Sequence, residues 1–203
     1  MGRDKFVNKI FSKILARRLA PLLPKIISPN QSSFVQGRSI SDNYLLAQEV
    51  IAGIKRKARG GNVVFKLDIT KAYDRMKWPF LIQVLRAFGF GERWIDMIWR
   101  IISNVWFSMV INGSFCGFFK SARGLRQGDP LSPALFIIGA EVLSRSLNQL
   151  VSCRGFQGFS IPQGCPSITH LGYADDVLIF SSATASTLRL VMRVLEEYEA
   201  SSG

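Results

Sequence analysis

Two adjacent carboxylates stand where an apolar chain turns back on itself. Ile168 to Tyr173 and Val177 to Ser181 have the pattern of two short strands about a tight turn at Ala174-Asp175, with Asp176 next along the chain. One aspartate in a turn is ordinary, because its side chain bonds its own backbone. Two in succession, flanked by Leu171 and by Val177-Leu178-Ile179-Phe180, repel each other and lose hydration unless a cation or water relieves them. A third acid is placed as oddly. Asn62 to Thr70 is a predicted strand with Val63, Phe65, Leu67 and Ile69 on one face and Val64, Lys66 and Asp68 on the other. Asp68 is therefore a lone carboxylate near the end of an apolar strand. Three such oxygen donors brought together suit a divalent cation, and Mg²⁺ takes a few carboxylates along with substrate phosphates. That constellation supports two-metal phosphoryl transfer. The residues by themselves leave polymerase and nuclease both open.

Charge points to a polyanion. The 203 residues carry 26 Lys and Arg against 14 Asp and Glu, a net +12. The first 67 residues hold thirteen of those cations against three acids, so a basic flank adjoins a nearly neutral body. Nucleic acid is the usual partner of such a flank, and a solvated basic face is the plain alternative. The densest run is Lys55, Arg56, Lys57 and Arg59, at the end of a helix expected from Ser41-Asp42 to Arg59 and closed by Gly60-Gly61. There it suits a helix C-terminus as well as phosphate.

An apolar fraction of 48% with 20% charged residues argues against disorder. Leu131 to Ala140 is the longest apolar run, shorter than a spanning helix and followed at once by Glu141, so no membrane is expected. The basic N-terminus has no secretory pattern. Cys116, Cys153 and Cys165 are odd in number and fit no ligand spacing, so a reduced intracellular setting, nucleus or cytoplasm, is expected.

Between these landmarks the elements follow from periodicity. An amphipathic basic helix is predicted over residues 8–27, with Ile10, Ile14, Leu15, Leu19, Leu22, Leu23 and Ile26 as its stripe and Pro21 and Pro24 disturbing it. Helices are also predicted from Pro79 to Phe88, around Trp94 to Ile102, from Ser132 to Leu150 and from Ala185 to Ala200, the last turning Leu188, Val191, Met192, Leu195 and Tyr198 inward. Trp106 to Ile111 and Ser114 to Lys120 form a hairpin about Asn112-Gly113. Trp78, Trp94, Trp99 and Trp106 are assigned to the core. Strands interleaved with helix pairs and one explicit hairpin give an α+β domain.

Four segments, in order, carry a resemblance over essentially the whole chain. They are Ile27-Ser-Pro-Asn-Gln31-Ser-Ser-Phe-Val-Gln-Gly-Arg38, Lys66-Leu-Asp68-Ile-Thr-Lys-Ala-Tyr73-Asp74-Arg-Met-Lys-Trp78, Arg123-Gly-Leu-Arg126-Gln127-Gly128-Asp129-Pro-Leu-Ser-Pro-Ala-Leu-Phe136 and His170-Leu-Gly-Tyr173-Ala-Asp175-Asp176-Val-Leu-Ile-Phe180. The chain resembles the reverse transcriptases of plant LINE-type, non-LTR retrotransposons. The resemblance implies a right-hand polymerase palm, a ferredoxin-like antiparallel sheet with packed helices over residues 62–203, and partial fingers over 1–61. It implies Asp68, Asp175 and Asp176 as catalytic ligands of two Mg²⁺, with Mn²⁺ a possible substitute. It implies nucleotide contacts at Tyr73, Arg123, Gln127 and Gly128, and nucleic-acid contact at Arg126 beside the basic run. RNA template, DNA primer and deoxynucleotide are the implied partners. His170, Asp74 and Asp129 are expected to be structural, as turn, cap or core groups.

The match departs from the family at both ends. The fingers strand with an Arg-Pro-Ile-Ser-like signature is replaced by Met1-Gly2-Arg3-Asp4-Lys5, where Arg3 and Lys5 are the available cations. The thumb and endonuclease regions of the family are expected to be missing after Gly203. Two functions are therefore carried forward: an RNA-directed DNA polymerase domain, and a catalytically silent nucleic-acid-binding remnant of one.

Overall fold

A computed structural model describes the chain from Gly2 to Gly203, with side chains from Val7 onward, so the Arg3 and Lys5 side chains lie outside the described residues. The prolines split the first expected helix into α1 (Gly2–Leu19) and a short α2 (Leu23–Ile26). Helix α1 buries Ser12, Leu15 and Leu19, whereas Ile10, Ile14 and Leu22 of the expected stripe are exposed. Helix α3 (Ile40–Ala52) starts where Ser39 Oγ accepts from the Asp42 N–H, and it ends at Gly53. It stops short of the expected Arg59 because Asn62 Nδ2 reaches the Gly53, Ile54 and Arg56 carbonyls, each at 3.4 Å, and gathers them into a turn. Lys55 to Arg59 therefore lie beyond the helix, exposed.

The remaining elements are β1 (Asn62–Asp68), α4 (Ala72–Arg75), α5 (Trp78–Ala87), α6 (Glu92–Ser103), β2 (Trp106–Ile111), β3 (Ser114–Lys120), α7 (Ser132–Gln149), β4 (His170–Tyr173), β5 (Asp176–Ser182) and α8 (Ala185–Ser202). The β2–β3 hairpin falls where Asn112-Gly113 demands it, with both turn residues at positive φ. Strands β1, β5 and β4 form an antiparallel sheet in the order β1-β5-β4. Alternation along β5 divides the packing. Val177 and Ile179 meet Leu143 and Leu147 of α7 and Val191 of α8, joined by Phe65 and Leu67 from β1. Leu178 and Phe180 turn the other way, toward Ala47 and Val50 of α3, Phe159 and Val64.

Helix α7 is the axis of the main core, with Leu135, Phe136, Ile137 and Ile138 at most 1% exposed. Burying one such side chain is worth about 1.5–3 kcal/mol. Leu15, Leu19, Leu23 and Val35 join the same cluster as Leu81, Leu85 and Ile98, so this part of the chain before β1 shares the core of the rest. Contrary to the expectation from apolar run length, Ser132–Ser152 is long and apolar enough to cross a membrane, with mean hydropathy 1.2. Most of it, 61%, is buried in this core. On α8, Val191 is buried as expected but Met192 is exposed.

The β2–β3 hairpin departs from the core assignments. Trp106 is exposed, stacked on Phe118 at 4.8 Å, and Val110, Phe115 and Phe119 are exposed with it. Two unpaired strand edges bearing apolar residues favour edge-to-edge association. Phe115→Lys, at the most exposed of these residues, should lower aggregation measured by light scattering and leave the thermal midpoint within about 2 °C of the parent, since no core contact is lost.

Candidate active site

Register assembles the carboxylates. Antiparallel pairing sets Asp68 directly opposite Asp176, and the Ile69 N–H donates to the Asp175 carbonyl at 3.1 Å where the ladder ends. The turn places Ala174 at φ +61°, a left-handed conformation costly for a residue with a Cβ. Asp68 and Asp175 are exposed, and among the described residues their carboxylates have no hydrogen-bond or ion-pair partner. Asp176 Oδ1 lies 3.4 Å from Lys66 Nζ, a half-exposed pair that contributes little to stability. Tyr73, from α4, stacks on Phe136 of α7 with ring centroids 5.0 Å apart. Its phenol pKa is pushed up by burial and, secondarily, by the negative charge of Asp175, which puts the ring beside the hairpin turn.

Among the described residues no three of His, Cys, Asp and Glu are drawn into a ready metal cluster. The donor chemistry nevertheless fits a hard divalent cation: two unpartnered, solvent-facing carboxylates sit at one sheet end beside a third. Among the described residues, the one ion pair at this sheet end joins Lys66 to the third carboxylate, Asp176.

The segment from Arg123 to Gly128 docks against the first carboxylate's loop through main-chain groups. Leu125 N–H donates to the Tyr73 carbonyl at 2.7 Å and Gly124 N–H to the Met76 carbonyl at 2.8 Å. Trp78, buried as its core assignment expects, donates its indole N–H to the Gly124 carbonyl at 2.7 Å and ties the start of α5 to this loop. Gly124 has φ +92°, and a Cβ there would stand 2.8 Å from the Asp74 carbonyl oxygen. Beside this loop opens a cleft of about 590 Å³, lined by Asp74, Phe107, Arg123, Gly124, Arg126 and Gln127. Gln127 and Arg123 are exposed there, and Gly128 is exposed next along the chain, outside the cleft lining. Arg126 differs from its expected role in part: one guanidinium nitrogen is committed to the Ile101 carbonyl at 3.0 Å, closing the end of α6.

Lys55, Arg56, Lys57 and Arg59 are not brought to the carboxylates. They precede Asn62, at the far end of β1 from Asp68, about 20 Å away at the rise of an extended strand.

Three residues given no role in the sequence reading turn out to hold the site. Arg38 donates to the carbonyls of Ser28 and Ile27, both at 2.6 Å, and of Gln31 at 2.7 Å, locking the loop before α3. Gln31 bridges Gly172 of β4 in parallel, and its Oε1 accepts from the Ala174 N–H at 3.2 Å. Glu141, 2% exposed on α7, accepts from Ser28 N–H and Oγ and from Arg145. One sequence signal existed for Glu141: a lone acid directly after the longest apolar run. His170 is structural as expected, 2.7 Å from Ser144 Oγ and 2.9 Å from Thr169 Oγ1. Asp129 is likewise a cap, bonding Leu131 N–H and Ser12 Oγ.

Residues 4–203 match the reverse transcriptase (RNA-dependent DNA polymerase) family, and the chain belongs to it. Over 172 residues it is 30% identical to the Transposon TX1 uncharacterized 149 kDa protein of Xenopus laevis, which takes in 84% of this chain and 13% of that protein. Over 137 residues it is 33% identical to a Pol polyprotein from the retrotransposable element R2 of Popillia japonica, covering 68% of this chain and 22% of the polyprotein. The chain thus spans under a quarter of the length of these relatives. Among solved structures, a telomerase from Candida albicans superposes with a TM-score of 0.59 at 15% identity, over 95% of this chain and 32% of that one, a likeness of fold. The chain is a reverse transcriptase domain, and its relatives here come from a transposon and a retrotransposable element.

Two outcomes follow from this geometry. Gly124→Ala should lower the thermal midpoint by about 5 °C or more, because a positive φ and a blocked Cβ cannot both be relieved without moving Asp74. Burial holds the His170 imidazole down at about 4, below its ordinary 6.5. The unfolded chain therefore takes up the proton first as pH falls. The neutral imidazole's contribution is complete above about pH 6.5 and lost between there and about 4, by at most about 3 kcal/mol. Urea unfolding at pH 7.5 and 4.5 should show a smaller acid loss for His170→Asn than for the parent.

Proposed function

We propose that this domain is an RNA-directed DNA polymerase that adds deoxynucleotides to a primer 3′-hydroxyl on an RNA template. The observation that carries the reading is the register placing Asp68 opposite Asp176 at the open sheet end, with Asp175 in the adjoining turn. Asp68 and Asp175 would be the principal holders of two Mg²⁺ ions, with Asp176 the third carboxylate and Mn²⁺ an acceptable substitute. Bound there, the metals would supply activation of the attacking hydroxyl and neutralisation of phosphate charge. Tyr73, seated on Phe136 beside Asp175, would limit space at the sugar. Arg123 and Gln127 face the cleft where the nucleotide would lie, with Gly128 adjoining it as a further nucleotide contact, and Lys55, Arg56, Lys57 and Arg59 would attract the polyanion from farther off.

The four motif segments support a plant LINE-type element as the source, as does a 40% identity over 75 residues to an uncharacterized mitochondrial protein of Arabidopsis thaliana. Three free cysteines, two of them exposed, suit an intracellular, reducing setting in nucleus or cytoplasm.

Primer extension on an RNA template with Mg²⁺ and deoxynucleotides tests the reading. The parent should extend, and Asp68→Asn with Asp175→Asn should reduce extension at least about a hundredfold while circular dichroism stays unchanged. A folded parent that binds template in a salt-dependent way yet never extends would overturn the polymerase reading in favour of a silent remnant.

A further inference from the structure

We propose that Gln31 is a positioning residue for the Asp175 turn, reaching from the loop before α3 to fix the backbone that presents the carboxylates. The proposal rests on the polymerase reading of Asp68 and Asp175 and goes beyond it, since Gln31 lies 37 positions before the first of them in sequence and touches no carboxylate. The turn has little support of its own. Strand β4 is only four residues long, and Ala174 sits at φ +61° between it and Asp175. A non-glycine residue in that conformation persists only when its surroundings over-determine it.

Gln31 provides the surroundings. It is 7% exposed, and its Oε1 accepts two backbone N–H groups, Ala174 at 3.2 Å and Ser33 at 2.9 Å. Its main chain bridges Gly172, whose N–H donates to the Asn30 carbonyl at 2.8 Å and whose carbonyl accepts from the Ser32 N–H at 3.2 Å. The Gln31 amide packs closely on Gly172: a Cβ there would stand 3.0 Å from Gln31 Nε2, which would have to give by a few tenths of an ångström. On the opposite face of β4, Tyr173 donates its hydroxyl to the Asn43 carbonyl at 2.7 Å. The segment that bears Gln31 is itself fixed by the Arg38 guanidinium. Among the described residues, only the Gln31 side chain hydrogen-bonds the turn itself, at the Ala174 N–H. A displaced turn would swing Asp175 away from Asp68 while both stayed exposed. Losing the Oε1 acceptor should therefore weaken cation binding and the chemical step more than nucleotide binding.

The test compares Gln31→Met, which keeps the volume and removes the acceptor, with Gln31→Glu, which keeps an acceptor oxygen. Mn²⁺ affinity is read by electron paramagnetic resonance on the full chain. Gln31→Met should weaken it on the order of tenfold. It should also lower kcat for primer extension tenfold to a hundredfold, on the order expected for a displaced group, with the deoxynucleotide KM changed less than threefold. Gln31→Glu should recover most of both. Amide exchange on the native chain gives a readout that needs no variant: the Ala174 N–H should be protected, and rapid exchange there would overturn the proposal even if Gln31→Met failed to fold. Unchanged Mn²⁺ affinity and kcat in a folded Gln31→Met would overturn it too. Mn²⁺ binding that is indifferent to Asp68→Asn would instead sink the underlying assignment of the carboxylates, which is a separate failure.

Discussion

Antiparallel pairing of Asn62–Asp68 with Asp176–Ser182 is held in one register by burial on both faces of the sheet. Side chains alternate with period two, so a slip of one residue would send Phe65 and Leu67 toward α3 and bring Lys66 and Asp68 against α7 and α8. That penalty is large because each face carries its own apolar cluster. The same register fixes where the carboxylates stand. Asp68 ends its strand opposite Asp176 because Val63 faces Ser181 and Phe65 faces Ile179 farther along. The site's geometry is thus a by-product of core packing several residues away, and the acids contribute nothing favourable to it.

The irregular segments do the remaining work through main-chain hydrogen bonds rather than burial. The loop with Gly124 and Leu125 is attached to the carbonyls of Met76 and Tyr73, and the loop with Gln31 to both backbone groups of Gly172. Arg38 satisfies carbonyls that a buried loop would otherwise leave unpaired, and Glu141 does the same for the Ser28 N–H. Arg38's guanidinium pKa is lowered by desolvation, with Glu141 acting in the opposite sense. A buried acid and a partly buried base thus serve as fixtures for backbone, and neither is part of the chemistry.

Local signals accounted for much of the fold. The hairpin at Asn112-Gly113 is observed with the boundaries that its turn residues predict, since two φ-positive positions specify it without tertiary help. Helices α5, α6, α7 and α8 begin and end within a few residues of where periodicity puts them. What escaped reading depended on distant partners. The end of α3 is set by Asn62, nine residues past Gly53, and this carried the basic run out of the helix. Exposure of Trp106 depends on the hairpin having no cover, which composition cannot reveal. The three carboxylates were legible as misfits in apolar strands, whereas Gln31 carried no such mark because a glutamine in a polar loop is unremarkable until the strand it bridges is known.

Several features at the catalytic end are unfavourable taken singly: like charges on facing strands, a left-handed alanine, and a glycine at φ +92° pressed against Asp74. Each costs on the order of 1–3 kcal/mol by itself. They persist because they adjoin the best-packed part of the molecule, where Phe136 lies under Tyr73 and Ile137 and Ile138 are almost wholly excluded from solvent. Rigidity is borrowed from α7 and passed on by short hydrogen-bonded loops. The charge repulsion itself goes unrelieved by the protein except at Lys66. A sheet end that is rigid in backbone and uncompensated in charge would take a cation without having to rearrange for it. On the proposed reading, the physical demand of the fold and the chemical demand of phosphoryl transfer therefore meet at the same three residues.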